Sequence, residues 1–262
     1  MWEMPEKLYK YRPMPDKAAV GRVLDILENS RIYLPPPTSF NDPFDCMPPV
    51  RCILNDEEFS SYLLEEMLRR YPQYTEKQVN QYLHTVVGNG QLDPRHEPLA
   101  SQVQKMAHEE MFKSLGVFCA SEKNNDVLMW AHYADSHRGI CLEFNGNSGI
   151  MRLAKKVTYA NTRPTVRLFD PIHNATTQVM DAALAKSLHW NYEKEWRIVH
   201  PYPGFIPFDP DDLTAVIFGA AANERTVATV MDAVMRSQSK LQLYRSVPDP
   251  DNYDYFIEPF SP

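Results

Sequence analysis

The chain contains few glycines, and this limits the ways in which it can bind phosphate. Glycine occurs only 9 times in 262 residues, and neither GxGxxG nor GxxxxGK[ST] is present. The GxSxG pattern of many serine hydrolases is missing as well. The functional site is therefore not expected to be built on a glycine-rich phosphate loop or a nucleophile elbow.

Cysteine pairs, a signal segment and long apolar runs are also lacking. The four cysteines, at 46, 52, 119 and 141, form no CxxC and fit no common zinc spacing, so no metal site is predicted. The first residues contain no apolar signal core. The longest uncharged apolar stretch, 213–222, is too short to cross a bilayer. We therefore expect a cytoplasmic protein that has no membrane partner.

An excess of positive charge is missing too. The formal net charge is −7, which disfavours a protein that coats nucleic acid, although a local basic groove stays open. Hydrophobic residues make up 44% and charged residues 23%, as in an ordinary soluble globular protein. A chain of this length buries one substantial core or two small ones.

The order of the predicted elements favours a mixed α+β fold with a mostly antiparallel sheet. Strand patterns come first, beginning with 8–12, and a helical block follows from 55 to 113. Later strands, among them 116–121 and 213–218, alternate with a few helices, one of which is predicted over 174–189, and 248–262 is predicted to be an irregular arm. Asp16 is predicted to cap the first helix, and Thr75 with Gln78 to form a capping box. We expect a single α+β domain over 1–262 with a helical insertion at 55–113.

The most informative segment is Tyr192–Val199, which places two carboxylates two residues apart. On an extended chain Glu193 and Glu195 would lie on the same side of the backbone. Two like charges side by side are costly unless a cation or a polar ligand compensates them. This segment is the first candidate for a site.

A second candidate lies in the run from Trp130 to His137. If 127–135 is helical, Trp130 and Tyr133 share one face. These two rings would serve equally as core anchors. A metal site built from His132, Asp135 and His137 lacks a fourth ligand at a recognisable spacing.

Two further candidates lie near the start of the chain. Asn41, Asp42 and Asp45 flank a proline, which indicates a turn whose carboxylates would alternatively bind a metal or a substrate. Lys10 and Arg12 share one face of the first strand. That face would be either a solvated edge or an anion site, since arginine suits bidentate phosphate contacts.

Several of these segments together resemble a large, poorly characterised bacterial family known as a domain of unknown function. The resemblance extends over most of the chain outside the helical insertion, and its name carries no activity. The segments that bear it are Leu8–Arg12, Phe40–Asp45, Met129–Tyr133 with His137, Gly139, Cys141 and Phe144, and Trp190 with Tyr192–Arg197.

More distantly, the order of motifs resembles the ADP-ribosyltransferases. Gly116–Ser121 followed by Tyr133 is similar to their glycine–aromatic strand and tyrosine-bearing helix. Glu193 and Glu195 resemble the Glu-x-Glu of their arginine-modifying members. This resemblance implies a split, mostly antiparallel sheet and NAD as the substrate. No histidine occupies the first motif, and the Ser-Thr-Ser motif is missing.

The resemblance also implies roles for individual residues. Glu195 would stabilise the positive charge that develops on the ribose, and Glu193 would orient or deprotonate the acceptor. The nucleotide site would be completed by Tyr133 against the nicotinamide, Lys10 or Arg12 on the pyrophosphate or the adenosine ribose, Ser121 on the nicotinamide ribose, and Trp130, His132 and Asn41.

The sequence leaves other interpretations open. The two glutamates would also fit a buried charge network with Lys194, Arg197 or Lys10. The pocket would alternatively belong to a non-catalytic module that binds a nucleotide or a partner. A nuclease would need Asp42 and Asp45 to meet the glutamates around a metal. The acceptor of ADP-ribose, a protein or a nucleic acid, stays open, and a role in bacterial defence or as a toxin is an analogy.

Overall fold

The computed structural model describes residues 3–52, 57–86, 105, 109, 111–168 and 174–261. Most of the second half of the predicted helical block, 87–110, lies outside these residues. The helices are α1 (Lys17–Asn29), α2 (Glu57–Arg70), α3 (Glu76–Val86), α4 (Val127–Tyr133), α5 (Ala175–Ala183) and α6 (Glu224–Arg236). The strands are β1 (Lys7–Arg12), β2 (Arg31–Leu34), β3 (Val50–Cys52), β4 (Gly116–Ser121), β5 (Ile140–Asn145), β6 (Lys155–Lys156), β7 (Thr158–Ala160), β8 (Val166–Leu168), β9 (Ala185–Ser187), β10 (Glu195–His200), β11 (Gly204–Pro207), β12 (Leu213–Phe218), β13 (Gln242–Pro248) and β14 (Tyr255–Pro259).

The chain divides into two compact units. The first unit comprises Met1–Ser39, Ser114–Asn161 and Lys186–Pro262, and the second comprises Phe40–Lys113 and Thr162–Ala185. The prediction of one domain with a helical insertion stays a prediction. None of the helices in the part of the chain that the structure describes is long and apolar enough to cross a membrane.

The first unit is built on an eight-stranded sheet with the order β14-β13-β12-β5-β1-β4-β10-β6. All neighbouring strands are antiparallel except β12 and β13, which are parallel. This confirms the predicted mixed α+β class with a mostly antiparallel sheet. The last strand, β14, pairs with β13 over five positions and replaces the irregular arm predicted for 248–262.

One face of this sheet, here called the α1 face, carries the larger core. Helix α1 begins at Asp16, whose carboxylate accepts a hydrogen bond from the Ala19 amide (2.8 Å) and thereby satisfies a donor of the first turn. Val23 and Leu27 of this helix are buried with Phe118 and Phe144 of the sheet. Burial of these side chains fixes α1 on the sheet.

The opposite face, here called the α4 face, carries a smaller, tyrosine-rich core. Trp130 of α4 is fully buried against Tyr11, with ring centroids 5.0 Å apart and the rings nearly perpendicular. Cys141 and Ile217 complete the cluster from the sheet. Helix α4 is therefore anchored on the sheet by its tryptophan.

The sheet opens between β1 and β4. In the described residues these strands share one pair, Tyr9 with Ser121, whereas β1 and β5 pair over six positions. Beside that pair the Lys10 ammonium donates a hydrogen bond to the carbonyl of Cys119 (2.6 Å). A lysine side chain thus joins the two strands where their ladder ends.

Two predicted helices end earlier than expected. The helix predicted over 174–189 ends at Ala183, because β9 follows and the Ser187 side chain caps a 3₁₀ turn by accepting from the His189 amide. The helix predicted over 127–135 ends at Tyr133. Asp135 and the two residues after it adopt left-handed backbone angles, which an α-helix does not contain.

The second unit contains the α2–α3 hairpin, the parallel pair β3–β8 and α5. Thr75 and Gln78 form the predicted capping box: the Gln78 amide donates to the Thr75 hydroxyl, and the Gln78 side chain accepts from the Thr75 amide (2.9 Å). The predicted turn at 41–45 is present as well, with Asp42 accepting from the Phe44 amide (2.8 Å).

Candidate functional site

The two glutamates of the Tyr192–Val199 segment do not lie on one extended strand, which corrects the prediction. Glu193 ends the 3₁₀ turn of Leu188–Glu193, and Glu195 opens β10. Lys194 between them is left-handed, with φ 45° and ψ 53°. The chain reverses at this residue, so the two carboxylates meet because of a turn and not because of strand alternation.

Ser121 holds this turn at the end of β4. Its hydroxyl donates to the main-chain carbonyl of Glu193 (2.5 Å) and accepts from the amide of Lys123 (3.0 Å). The Glu195 amide donates to the Tyr159 hydroxyl (2.8 Å) on the other side. The backbone that carries both carboxylates is therefore fixed from β4 and β7, and Ser121 acts here as a positioning group.

Lys186 is the cation that allows the two carboxylates to share one buried place. Its ammonium lies 2.5 Å from Glu193 Oε2 and 3.0 Å from Glu195 Oε2. The three side chains are buried, with exposed fractions of 6% or less. One lysine thus compensates the repulsion between two carboxylates in a place that excludes most water.

Arg197 compensates Glu195 a second time. Its guanidinium donates from Nε to Glu195 Oε1 (2.8 Å) and from Nη2 to Oε2 (2.9 Å), and it is fully buried. This two-pronged geometry is the strong form of a carboxylate–arginine pair. The result is a buried group of two carboxylates and two cations, here called the carboxylate centre: Lys186, Glu193, Glu195 and Arg197.

The two carboxylates of this centre differ in their acidity. Burial and the neighbouring charge of Glu195 raise the pKa of Glu193 from its ordinary value near 4.5 to about 7, against the opposing effect of Lys186. Burial acts in the same direction on Glu195, but Arg197 and Lys186 outweigh it and hold the pKa of that carboxyl well below its usual range. Glu193 is therefore the group that takes up and releases a proton near neutrality.

Tyr133 joins the centre from α4. Its hydroxyl donates to Glu193 Oε1 (2.5 Å), and the ring is half-buried. Burial and the charge of Glu193 raise the pKa of Tyr133, so its hydroxyl keeps its proton near neutrality. Asp126 caps α4 by accepting from the amides of Leu128 and Met129 (3.0 and 3.1 Å) and so helps to position this tyrosine.

Three aromatic side chains lie beside the centre and form what is here called the aromatic surface. The ring centroids of His132, Trp190 and Tyr192 lie 6.0 to 6.3 Å apart. His132 Nδ1 and the Tyr192 hydroxyl are joined by a hydrogen bond of 2.9 Å. The ammonium of Lys186 lies 5.3 Å from the Trp190 ring centroid, which connects this surface to the carboxylate centre.

The structure brings together several of the predicted site residues of the first unit. Tyr133, Glu193 and Glu195 meet, Ser121 supports their backbone, and His132 lies beside them. Trp130 is fully buried and donates from its indole nitrogen to the carbonyl of Asn124 (2.8 Å), as a core anchor does. Asn41 belongs to the second unit.

One of the first-strand cations lies within electrostatic reach of the glutamates. Tyr9 pairs with Ser121 and Ser121 pairs with Glu195, so these three side chains share the α4 face. Lys10 alternates with Tyr9 along the strand, and its ammonium reaches the opening between β1 and β4. Burial, and then the charge of Arg12, lower the pKa of Lys10 to about 8, and the charges of Glu195 and Glu193 oppose this change. The predicted cleft that would join Glu195, Tyr133 and a first-strand cation stays a prediction.

Sequence reasoning missed Lys186 because the residue falls inside the helix predicted over 174–189. In the structure it lies in β9, a short strand paired with β7. Its position a few residues before two glutamates was the available signal. The prediction of a charge network considered Lys194, Arg197 and Lys10 as partners. Arg197 is a partner, whereas Lys194 contacts Asn191 (3.1 Å).

A divalent metal has no evident place in the described part of the chain. Among the residues that the structure describes, no three His, Cys, Asp or Glu side chains gather in a group that could hold a metal ion. The carboxylates of the centre contact cations of the protein instead.

Residues 129–198 match a family model described as "Protein of unknown function (DUF2971)". The match includes the whole carboxylate centre, Tyr133 and the aromatic surface, and supports the resemblance to an uncharacterised family. The other two segments that suggested the family, 8–12 and 40–45, lie outside the matched residues. No curated protein and no solved structure matches the chain.

Proposed function

We propose that this protein is an enzyme of the ADP-ribosyltransferase type, which cleaves the nicotinamide N-glycosidic bond of NAD beside Glu193 and transfers ADP-ribose to an acceptor. The observation that carries the proposal is a buried glutamate, Glu193, that is bonded to Tyr133 and Lys186 and lies next to the aromatic surface. Burial and the charge of Glu195 raise the pKa of this carboxyl, which suits a group that exchanges a proton. Buried carboxylates with a perturbed pKa are common in catalytic sites.

The chemistry of the bond explains why a carboxylate is useful. When the bond between the ribose and nicotinamide breaks, its electron pair goes to the nicotinamide nitrogen and positive charge develops on the ribose, as in glycoside hydrolysis. An ionised Glu193 beside the ribose stabilises that charge. The acceptor then forms a new bond to the same ribose carbon, and its proton passes to Glu193.

Glu195, Trp190 and Tyr192 have supporting roles in this reaction. Glu195 is a positioning residue in this proposal, because Arg197 holds both of its oxygens in a two-pronged pair and Lys186 adds a third contact, whereas Tyr133 and Lys186 each make a single contact to Glu193. The repulsion that it exerts keeps the pKa of Glu193 near neutrality. Trp190 and Tyr192 offer ring faces against which the planar nicotinamide would stack.

The test is release of nicotinamide from NAD by the purified protein, followed by chromatography. Glu193→Gln keeps the shape of the side chain but loses its charge, and we expect release to fall by roughly 100- to 1000-fold. The matched control is Glu143→Gln. Glu143 is another buried glutamate, in β5, bound to Lys7 (2.9 Å) and Thr214 (2.8 Å), and its replacement should leave release unchanged.

Two results would overturn the proposal. The first is wild-type release by Glu193→Gln. The second is a wild-type protein that releases no nicotinamide across the range from about pH 6 to about pH 9, in which Glu193 changes charge.

A second candidate is a module that binds a nucleotide or a partner without turnover. The complete compensation of Glu195 by Arg197 and Lys186 favours it, because a closed charge network also serves to hold a fold together. In that case NAD or ADP-ribose would bind saturably to wild type without cleavage. Trp190→Ala would abolish that binding, and Glu193→Gln would preserve it.

A further inference from the structure

We propose that His132 and Tyr192 carry protons between the buried carboxyl of Glu193 and the solvent, by way of the Tyr133 hydroxyl. The use of this route in turnover rests on the proposed function, because a proton that Glu193 takes from an acceptor must leave before the next cycle. In this role His132 and Tyr192 act through Glu193, so they are positioning residues.

Glu193 has almost no direct access to water. Its side chain is 3% exposed, and the side chain of Lys186, which is bonded to it, is 6% exposed. Burial and the charge of Glu195 raise the pKa of Glu193 to about 7, so the carboxyl exists in both forms near neutrality. A site that excludes water also hinders proton exchange, so Glu193 needs neighbouring groups that pass its proton on.

Tyr133 makes the first step of the route. Its hydroxyl donates to Glu193 Oε1 (2.5 Å), and its ring is only half-buried. Burial and the charge of Glu193 raise the pKa of Tyr133, so this hydroxyl does not ionise. It passes a proton by exchange: the carboxyl proton moves onto the tyrosine oxygen while the proton already on that oxygen leaves toward the next group.

His132 joins this tyrosine to the solvent. It precedes Tyr133 on α4, and the two rings meet edge to face with their centroids 6.3 Å apart. Its centroid lies 6.1 Å from that of Tyr192, and its Nδ1 forms a hydrogen bond of 2.9 Å with the Tyr192 hydroxyl. The imidazole therefore lies beside both tyrosines, and its side chain is exposed.

The chemistry of this pair suits proton transfer. An imidazole accepts a proton on one ring nitrogen and releases one from the other, so its charge is unchanged after each transfer. Burial and the charge of Glu193 raise the pKa of Tyr192 to about 12, so its hydroxyl keeps a proton and still accepts a hydrogen bond. Tyr192 also fixes the orientation of the otherwise exposed imidazole.

The test is ¹³C NMR of the full protein labelled at its glutamate carboxyl carbons, recorded at low buffer concentration. The Glu193 signal is identified by its loss in Glu193→Gln, and its line shape near the titration midpoint gives the rate of proton exchange. We expect His132→Ala to lower this rate by roughly 100-fold, which is the lower end of what a positioned proton-transfer group contributes. Added imidazole should restore the rate, which it would not do for a merely structural residue.

The matched control is His189→Ala. His189 is an exposed histidine of the same 3₁₀ turn as Tyr192, and its Nδ1 is bonded to the Ser187 hydroxyl (2.9 Å). Its replacement should leave the exchange rate of Glu193 at the wild-type level. Tyr192→Phe keeps the ring but removes the hydroxyl that orients His132, so its rate should fall between those of wild type and His132→Ala.

The proton route is wrong if His132→Ala exchanges as fast as wild type, if added imidazole restores nothing, or if His189→Ala slows exchange equally. It is also wrong if the Glu193 signal does not titrate between about pH 5 and about pH 9. Nicotinamide release is measured separately. Release by wild type with exchange that is independent of His132 would remove the route alone. Exchange that depends on His132 without any release would remove the proposed function alone.

Discussion

Two charged groups of one sheet differ in how their charges are compensated. In the carboxylate centre, two carboxylates and two cations neutralise each other within hydrogen-bond distance. On β1, Lys10 and Arg12 lie two residues apart and form no salt bridge with a carboxylate of the described residues, and the Nε of Arg12 is buried without a hydrogen-bond partner. The first group is held by direct ion pairs, whereas the charges of Glu195 and Glu193 act on Lys10 without one.

Two similar sequence patterns, Glu-x-Glu and Lys-x-Arg, therefore lie in different structural environments. Glu-x-Glu and Lys-x-Arg each place two like charges two residues apart. The lysine–arginine pair lies on a true strand and keeps its charges on one face. The glutamate pair spans a left-handed turn at Lys194 and meets a lysine from another segment.

The largest expected effect comes from removing the shared cation of the carboxylate centre. Lys186→Met removes the cation that contacts both buried carboxylates, and we expect the free energy of unfolding to fall by about 3–5 kcal/mol. Urea denaturation near neutral pH measures it. Adding Glu193→Gln to this variant should restore part of the loss, because one uncompensated charge disappears.

Lys7→Met is the control for that prediction. Lys7 also pairs with a buried carboxylate, Glu143, but half of its own side chain is exposed, so the expected loss is below about 1 kcal/mol. Equal losses of unfolding free energy for Lys186→Met and Lys7→Met would contradict the conclusion that the carboxylate centre excludes water.

The pH dependence of stability tests the acidity of Glu193. Its folded-state pKa of about 7 lies above its ordinary value of 4.5, so its contribution to stability is complete below pH 4.5 and is lost as the pH rises through 7. Glu195 has the opposite sign, because its folded-state pKa is lowered, and its contribution is lost only as the pH falls below about 4.5.

We therefore expect wild type to lose on the order of 1–3 kcal/mol between about pH 5 and about pH 8, and Glu193→Gln to lose much less over that range. Denaturation curves of the two proteins at both pH values measure this. Glu143→Gln should behave as wild type does. Parallel pH profiles for wild type and Glu193→Gln would show that Glu193 does not titrate in this window.

Truncation of Arg12 on β1 is expected to change the free energy of unfolding in the opposite direction. Arg12→Met replaces a buried, repelled guanidinium by an apolar side chain, and the free energy of unfolding in phosphate-free buffer should rise by about 1 kcal/mol. Arg245→Met, which removes a guanidinium stacked on Phe260, should bring no such gain. A loss of stability in Arg12→Met would mean that Arg12 is already compensated.

The smallest expected effect concerns the hydroxyl that joins α4 to the centre. Tyr133→Phe removes the hydrogen bond to Glu193 and should cost about 1 kcal/mol. Because that bond favours the ionised carboxylate, the pKa of Glu193 should rise further. Carboxylate NMR titration of the two proteins measures it, and an unchanged or lower pKa would contradict the bond. Tyr244→Phe, which removes a hydroxyl bonded to Gln242 outside the centre, should change neither quantity.

Several elements of the fold were predictable from the sequence because local interactions decide them. The caps of α1 and α3 are bonds between residues three apart, and they occur at Asp16 and Thr75 as predicted. The strands Gly116–Ser121 and Leu213–Phe218 have the predicted bounds. Propensity and capping act within a few residues, so the sequence alone reveals them.

The errors fall where distant contacts override local preference. Residues 184–189 continue a helical pattern, but they form β9 against β7 and then a capped 3₁₀ turn. Residues 255–259 look irregular and acidic, but β13 gives them a strand partner. In both places, pairing with a segment distant in sequence supplies hydrogen bonds that the local sequence pattern does not predict.

The sequence by itself therefore determined the α+β class, the main strands and the helix caps, and it marked Glu193, Glu195 and Tyr133 as candidates that the structure brings together. Only the tertiary structure decided that Lys186 lies between the glutamates and that a left-handed turn brings the two carboxylates together. The physical reason is the separation along the chain over which each kind of interaction acts. Alternation and capping are set by neighbours along the chain, whereas the energy of a charge depends on which segments fold around it and on how much water they exclude.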